Sequence, residues 1–175
     1  TDLPISPPGR PNMDVKYLTP LVNAAVEVLT AELGGPVARG SIALHRSGYT
    51  THDVSVILTI VGRLQGVVVY GMSQATALAM VSQMMGQSFD ELDDLAQSGV
   101  AEVGNVITGR ASMLLASAGY VTNISVPTLV IGKAMISVVD FQRLVVPLSF
   151  PCGQLEVHLA LREVPSGNGA DRSGV

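Results

Sequence analysis

The sequence predicts an α/β domain of the α+β kind: internally duplicated helix-plus-strands halves, an antiparallel or mixed sheet, and long helices packed on one face. Three observations carry this. Two long stretches repeat apolar residues at intervals of three and four, the period of a helix with one buried face. Two pairs of Val-, Ile- and Leu-rich runs turn at glycines, as hairpins do. Each long helical stretch also ends in a similar way before its strands begin.

Residues 1–12 hold four prolines and no apolar periodicity, so they read as a flexible tail, with the domain spanning 13–164. From Asp14 a helix is expected through Leu18, Leu21, Val22, Ala25, Val28, Leu29 and Leu33, with Pro20 near its first turn and Gly34-Gly35-Pro36 ending it. Residues 37–44 read as a strand and 45–52 as a polar loop. A hairpin follows over 54–61 and 64–70, turning at Gly62-Arg63. Ser73 suits the N-cap of a helix over 74–85 that Gly86 ends, with Met80, Met84 and Met85 as adaptable core filler. The acidic run Asp90-Glu91-Leu92-Asp93-Asp94 opens a long helix over 93–119, where negative charge favours the positive end of the helix dipole. Strands are then expected over 121–131, 135–139, 144–150 and 155–161, the last two around Pro151-Cys152-Gly153. Residues 165–175, rich in Gly, Ser and Asp, read as a second flexible tail.

The duplication shows when the pieces are laid side by side. Gly35-Pro36-Val37 with Ser41 matches Gly119-Tyr120-Val121 with Ser125, and hairpins turning near Gly62 and Gly153 close the two halves. The middle helix is inserted between them. This alignment sets Leu18 opposite Glu102 and Leu21 opposite Asn105, so only the second half carries a polar pair.

Composition excludes several functions. A net charge of -4 without a Lys or Arg cluster argues against nucleic acid, since phosphate neutralisation needs clustered cations. The longest apolar runs fall far short of the roughly 20 residues of a membrane helix. A lone cysteine, Cys152, forms no internal disulfide, which fits a reducing compartment, and without a charged segment followed by an apolar run at the start, export by a signal peptide is not expected. His45, His52 and His158 are not at metal-ligand spacings and read as ordinary loop or sheet histidines. No Gly-rich turn joins a strand to a helix in the manner of a nucleotide site.

The distinctive stretch is Ser98-Gly-Val-Ala-Glu102-Val-Gly-Asn105-Val-Ile-Thr-Gly109. Glu102 and Asn105, three apart on a helix, project together. From spacing alone the pair is the solvated face of a long helix; the alternative is polar positioning, with a carboxylate gripping a partner's cation and an amide holding a water. Gly99, Gly104 and Gly109 each cost the helix about 1 kcal/mol relative to Ala. Either they allow close helix packing, or they smooth the face for another protein's backbone. Ser98 has no histidine nearby to activate it and suits an N-cap.

These residues resemble the chemotaxis phosphatases of the CheX and CheC type, CheX more closely. The resemblance rests on Ser98-x3-Glu102-x2-Asn105, on Val106 to Gly109 after it, on Pro127 in Ser125-Val-Pro127-Thr, and on the opening Met13-Asp-Val-Lys-Tyr with Pro20 and Asp53-Val-Ser. It covers nearly the whole fold and implies the CheC-like fold. It further implies hydrolysis of the aspartyl phosphate of a CheY-like response regulator, with Glu102 salt-bridging a regulator lysine and Asn105 orienting the attacking water. Ser98, Gly99 and Gly109 are then expected at the partner surface. Magnesium would belong to the regulator, and no metal or cofactor is expected in this chain. A homodimer in the cytoplasm completes the expectation. The second reading is a non-catalytic adaptor that docks a receiver domain or a flagellar-switch component through the same helix; the third is a purely structural dimerising protein.

Overall fold

The computed structural model describes residues 14–46, 48–136 and 142–165. The tails expected at 1–12 and 165–175 lie outside the described residues, apart from Pro165.

Helix α1 spans Val15–Leu33, its N-cap Asp14 accepting from the Lys16 amide and its end set by Gly34 at φ 67°, a left-handed conformation that glycine adopts without strain. Pro20 lies inside it, further in than the sequence suggests. The strand expected over 37–44 is two short ones, β1 (Ala38–Arg39) and β2 (Ala43–His45), and the polar loop holds a third, β3 (Tyr49–Thr50). The hairpin follows as β4 (Val54–Gly62) and β5 (Leu64–Met72). Helix α2 (Gln74–Met85) is capped by Ser73 and closed by Gly86, and α3 spans Asp94–Ser117. The long strand expected over 121–131 breaks around Pro127 into β6 (Thr122–Ile124) and β7 (Thr128–Ile131). Of the strand expected over 135–139, β8 (Met135–Ile136) is described and the rest lies outside the described residues. The second hairpin is β9 (Arg143–Phe150) and β10 (Gly153–Glu163).

The main sheet runs β1-β9-β10-β5-β4-β6, with β2 also on β9 and β7 also on β4. Its centre is the antiparallel seam where the two hairpins meet, Leu155 opposite Met72 and Leu161 opposite Gly66. The edges are exchanged between halves: β1 and β2 follow the first helix but pair with the second hairpin, while β6 and β7 follow α3 but pair with the first. Pro147 stands on β9 at the gap between β1 and β2, and the Gly40 amide reaches its carbonyl at 2.8 Å. A residue without an N–H is tolerated where no ladder bond is due.

Alternate residues of the sheet build the core. Val54, Val56, Leu58 and Ile60 on β4, Val68, Tyr70 and Met72 on β5, Leu144, Val146 and Leu148 on β9, and Leu155, Val157, Leu159 and Leu161 on β10 share one buried cluster with residues of all three helices. The other face carries Ser55, Val69, Glu156 and His158. Because side chains alternate with period two, the helices cover one face and leave these residues to the opposite one.

Candidate functional site

Helix α3 is the scaffold. Asp93 accepts from the Ala96 amide at 2.8 Å, so the N-cap lies five residues before Ser98. Ser98 is therefore an exposed position within the helix and not its cap. The helix buries Ala96, Gly99, Val100, Val103, Gly104, Ile107, Thr108, Ala111 and Leu115. A buried hydroxyl pair fixes its rotation over the sheet. Thr108 Oγ1 donates to the Gly104 carbonyl at 2.7 Å, which leaves the Tyr70 hydroxyl of β5 as donor to Thr108 Oγ1 at 2.8 Å.

The outer face then presents a continuous stripe: Ser98 and Glu102 exposed, Asn105 and Gly109 half-buried. Asn105 Nδ2 lies 3.4 Å from Glu102 Oε2, the long end of hydrogen bonding. Glu102 makes no ion pair among the described residues, so its carboxylate is available to an incoming cation. To one side, Arg110 Nε donates to Glu27 Oε2 at 3.1 Å and links α3 to α1; in this exposed setting such a pair contributes only tenths of a kcal/mol.

Three exposed apolar residues share the stripe: Leu95 (52% exposed), Val106 (42%) and Met113 (62%). Sequence reasoning passed over Leu95 and Met113 because an apolar residue in a helical pattern reads as core by default. Their signal was phase, since they fall with Ser98, Glu102 and Asn105 rather than with Val100, Val103 and Ile107.

The glycines separate into two kinds. A Cβ at Gly99 would lie 2.5 Å from Val81 Cγ2 and 2.8 Å from Met85 Cε, and one at Gly104 would lie 2.6 Å from Val56 Cγ1. Both therefore serve packing, Gly99 against α2 and Gly104 against the sheet. The expectation that Gly99 meets a partner is corrected, because that backbone is buried inside the molecule. At Gly109 the nearest atom is Ile124 Cδ1 at 4.0 Å, so this glycine alone leaves open space on the face.

The duplication also needs a new register. Leu18 and Leu21, set opposite Glu102 and Asn105 by the sequence alignment, are 1% and 2% exposed. Seven of the eight buried residues of α1, Tyr17, Leu18, Leu21, Val22, Ala25, Leu29 and Leu33, instead match Gly99, Val100, Val103, Gly104, Ile107, Ala111 and Leu115 in order, while the eighth, Ala24, falls opposite the exposed Val106. Pro20 then stands opposite Glu102 and Asn23 opposite Asn105. The alignment slipped because it was anchored on the glycines after the helices, and α3 runs two residues further before its own. The conclusion that only α3 carries the carboxylate-amide pair is unchanged.

On the far face of the sheet, two histidines that sequence spacing dismissed come together. His52 Nε2 and His158 Nε2 lie 3.2 and 2.9 Å from the same oxygen, Glu156 Oε2. These are the residues able to hold a metal among those described.

Comparison with known proteins identifies relatives of this chain and of its fold. A family model described as chemotaxis phosphatase CheX matches residues 54–149, which include α3 and its polar pair. The CheY-P phosphatase CheX of Thermotoga maritima is 31% identical over 122 residues, 69% of this chain and 79% of that protein. Among solved structures, the CheX-CheY-BeF3-Mg+2 complex from Borrelia burgdorferi contains a chain 31% identical with a TM-score of 0.72, covering 86% of this chain and all of that one. A CheC-like superfamily protein from Shewanella sp. PV-4 shares the fold at a TM-score of 0.77 and 24% identity, covering 86% of this chain and 99% of that one. A family match over more than half of the sequence, joined to a relative aligned across most of both proteins, makes this chain a member of the CheX family of chemotaxis phosphatases.

Proposed function

We propose that this protein hydrolyses the aspartyl phosphate of a CheY-like response regulator, with α3 as its docking helix, Glu102 as the grip and Asn105 as the residue that orients water. The observation that carries this reading is the pair itself: a carboxylate with no ion pair among the described residues and a carboxamide side by side on the outer stripe, held by a helix whose other face is locked to the sheet. The relatives named as a CheY-P phosphatase and as part of a CheX–CheY complex support the substrate class.

The chemistry asks little of this chain beyond positioning. Hydrolysis of an acyl phosphate needs water in line with the phosphorus; the P–O bond to the aspartyl oxygen breaks, giving inorganic phosphate and the regulator's free carboxylate. Phosphoryl transfer is catalysed mainly by placement and electrostatics. Asn105 can accept from the water through Oδ1 or donate to it through Nδ2, fixing its direction. Glu102 would pair with a lysine on the regulator and set the register of the two surfaces, while Leu95, Val106 and Met113 supply apolar area around the polar centre. One carboxylate beside one amide does not suit Mg2+, which requires near-octahedral oxygen coordination. The magnesium of this reaction therefore belongs to the regulator, and Ser98 and Gly109 lie where its backbone would pass.

The reading extends to a cytoplasmic homodimer. Ile42 and Leu44 at one side of the sheet, and Val121, Val126 and Ile131 at the other, are exposed apolar side chains that a second copy could cover.

The test is phosphate release from phosphorylated CheY-like receivers mixed with the full chain. Acceleration that Asn105→Ala abolishes while binding persists supports the reading. Binding without any change in phosphate lifetime would replace it with the adaptor reading.

A further inference from the structure

The face of the sheet turned away from the helices contains a built cluster that the α3 reaction does not use. Glu156 and His158 alternate along β10, so both project from the face opposite Leu155, Val157 and Leu159. His52 reaches them from the segment before β4. Glu156 Oε2 lies 3.2 Å from His52 Nε2 and 2.9 Å from His158 Nε2, and the three candidate ligand atoms all lie within 4.8 Å of one another. The two imidazoles meet edge to face, 5.8 Å apart between centroids and 69° from parallel.

The seat of His52 is prepared by the backbone. Gly71 on β5, the register partner of both Ser55 and Glu156, lies under the His52 ring, and a Cβ there would fall 2.3 Å from His52 Nδ1. Any other residue at this position would push the imidazole away from Glu156. The His158 side chain is 5% exposed, so this side of the cluster is closed to water by the surrounding protein.

The distances suit a small tetrahedral ion. With bonds of 2.0–2.1 Å, ligand atoms of a tetrahedral zinc site stand about 3.3 Å apart; two edges here are 3.2 and 2.9 Å and the third is within 4.8 Å, so a bound ion would draw the two imidazoles closer together. His52 also lines a cleft of about 390 Å³ with Thr51, Asp53, Ser73 and Lys133, which gives the cluster access to solvent. We propose that His52, Glu156 and His158 form a zinc site, with two imidazoles and one carboxylate as protein ligands and water in the fourth position. Its ligands come from both halves of the duplicated chain, so the ion clamps the segment before β4 to the central strand β10. The sheet separates it from Glu102 and Asn105.

The test uses the untagged full chain after chelator treatment, titrated with Co2+ in the visible and with Zn2+ against a chromophoric chelator. One equivalent should bind, with the ligand-field bands of tetrahedral cobalt, and Zn2+ should displace it. His52→Ala and Glu156→Gln, both at partly exposed positions, should each weaken binding by more than the roughly 10–100-fold typical of losing a mere supporting contact. His45→Ala should change nothing. Zinc should raise the thermal midpoint of the parent and not of the two ligand variants, since only a native-state ligand stabilises in this way. Circular dichroism confirms that each variant is folded. No uptake by the folded parent, or unchanged affinity in folded His52→Ala and Glu156→Gln, overturns the assignment.

Discussion

The Tyr70 hydroxyl donates to Thr108 Oγ1 at 2.8 Å inside the core, joining the central strand β5 to α3 three residues beyond Asn105. Thr108 in turn donates to the Gly104 carbonyl, so the two ends of this short chain are unequal. Replacing Thr108 by Val keeps the shape but leaves the tyrosine hydroxyl buried without an acceptor, which costs about 1–3 kcal/mol. Tyr70→Phe removes the hydroxyl cleanly and leaves Thr108 bonded to Gly104, for about 1 kcal/mol. Urea unfolding of both variants checks the asymmetry; equal losses would show that the tyrosine finds another partner.

The hairpins and several helix ends could be read from the sequence because their causes are local. Ser73 accepts an amide hydrogen of the first turn of α2, and Gly34 and Gly86 adopt the left-handed conformation that ends a helix. The cap of α3 was misplaced at Ser98, because Ser and Asp both suit that position and the acidic run already supplies Asp93. The turn near Gly62 and the Glu102-Asn105 pair are similarly short-range. The exchange of edge strands was not legible, because nothing within Ala38–Arg39 states that its partner is Ser149 and Leu148 rather than its own hairpin. The roles of Gly99 and Gly104 were hidden for the same reason, since a glycine in a helix does not reveal whether Val81, Val56 or solvent stands opposite. The histidine cluster lay between these cases. Glu156-x-His158 on a strand announces a shared face, but the arrival of His52 from more than a hundred residues away depends on the hairpin seam and on Gly71.

Glu102 and Asn105 should fail in different ways. Asn105→Ala should reduce the maximal dephosphorylation rate by roughly 10²–10³-fold, the range seen when one positioned hydrogen-bonding side chain is lost, with little change in affinity for the regulator. Glu102→Ala should act first on affinity, and the parent's affinity should fall with added salt more steeply than the variant's, because the interaction removed is a pair of charges. Stopped-flow phosphate release and calorimetry on the same proteins separate the two effects. A loss of rate alone in both variants would assign Glu102 to the chemistry instead of the docking.

Alkaline unfolding should report the buried tyrosines. Burial, and then the hydrogen bond to Glu163 at 2.7 Å, pushes Tyr17 up to about 12; burial raises Tyr70 as well, against the smaller opposing effect of Thr108. An unfolded tyrosine ionises near 10, so above that pH the unfolded chain sheds protons that the native state keeps. Stability conferred by these groups is complete below pH 10 and falls as pH rises towards 12, each contributing a slope of up to about 1.4 kcal/mol per pH unit. Denaturant midpoints measured from pH 8 to 12 should drop along this limb, and Tyr17→Phe should flatten it. A variant with the parent's full slope would remove Tyr17 from the account.

Gly104 and Gly109, one and a half turns apart on α3, should respond to alanine with opposite sign. At Gly104 the new methyl would meet Val56 Cγ1 at 2.6 Å and Tyr70 Cδ2 at 3.2 Å, both from the sheet beneath, so the helix must lift or the strands must shift. Overpacking of this kind costs about 1–3 kcal/mol. At Gly109 the nearest atom is 4.0 Å away, and relief of the glycine entropy should stabilise the helix by roughly 0.5–1 kcal/mol. Gly109→Ala should nonetheless bind the regulator more weakly, because the methyl stands on the face where the partner's backbone would approach. Thermal midpoints give the first comparison and titration with the phosphorylated receiver gives the second. A more stable Gly109→Ala with unchanged affinity would move the docking surface toward the Leu95 end of the stripe, leaving Glu102 and Asn105 near its edge.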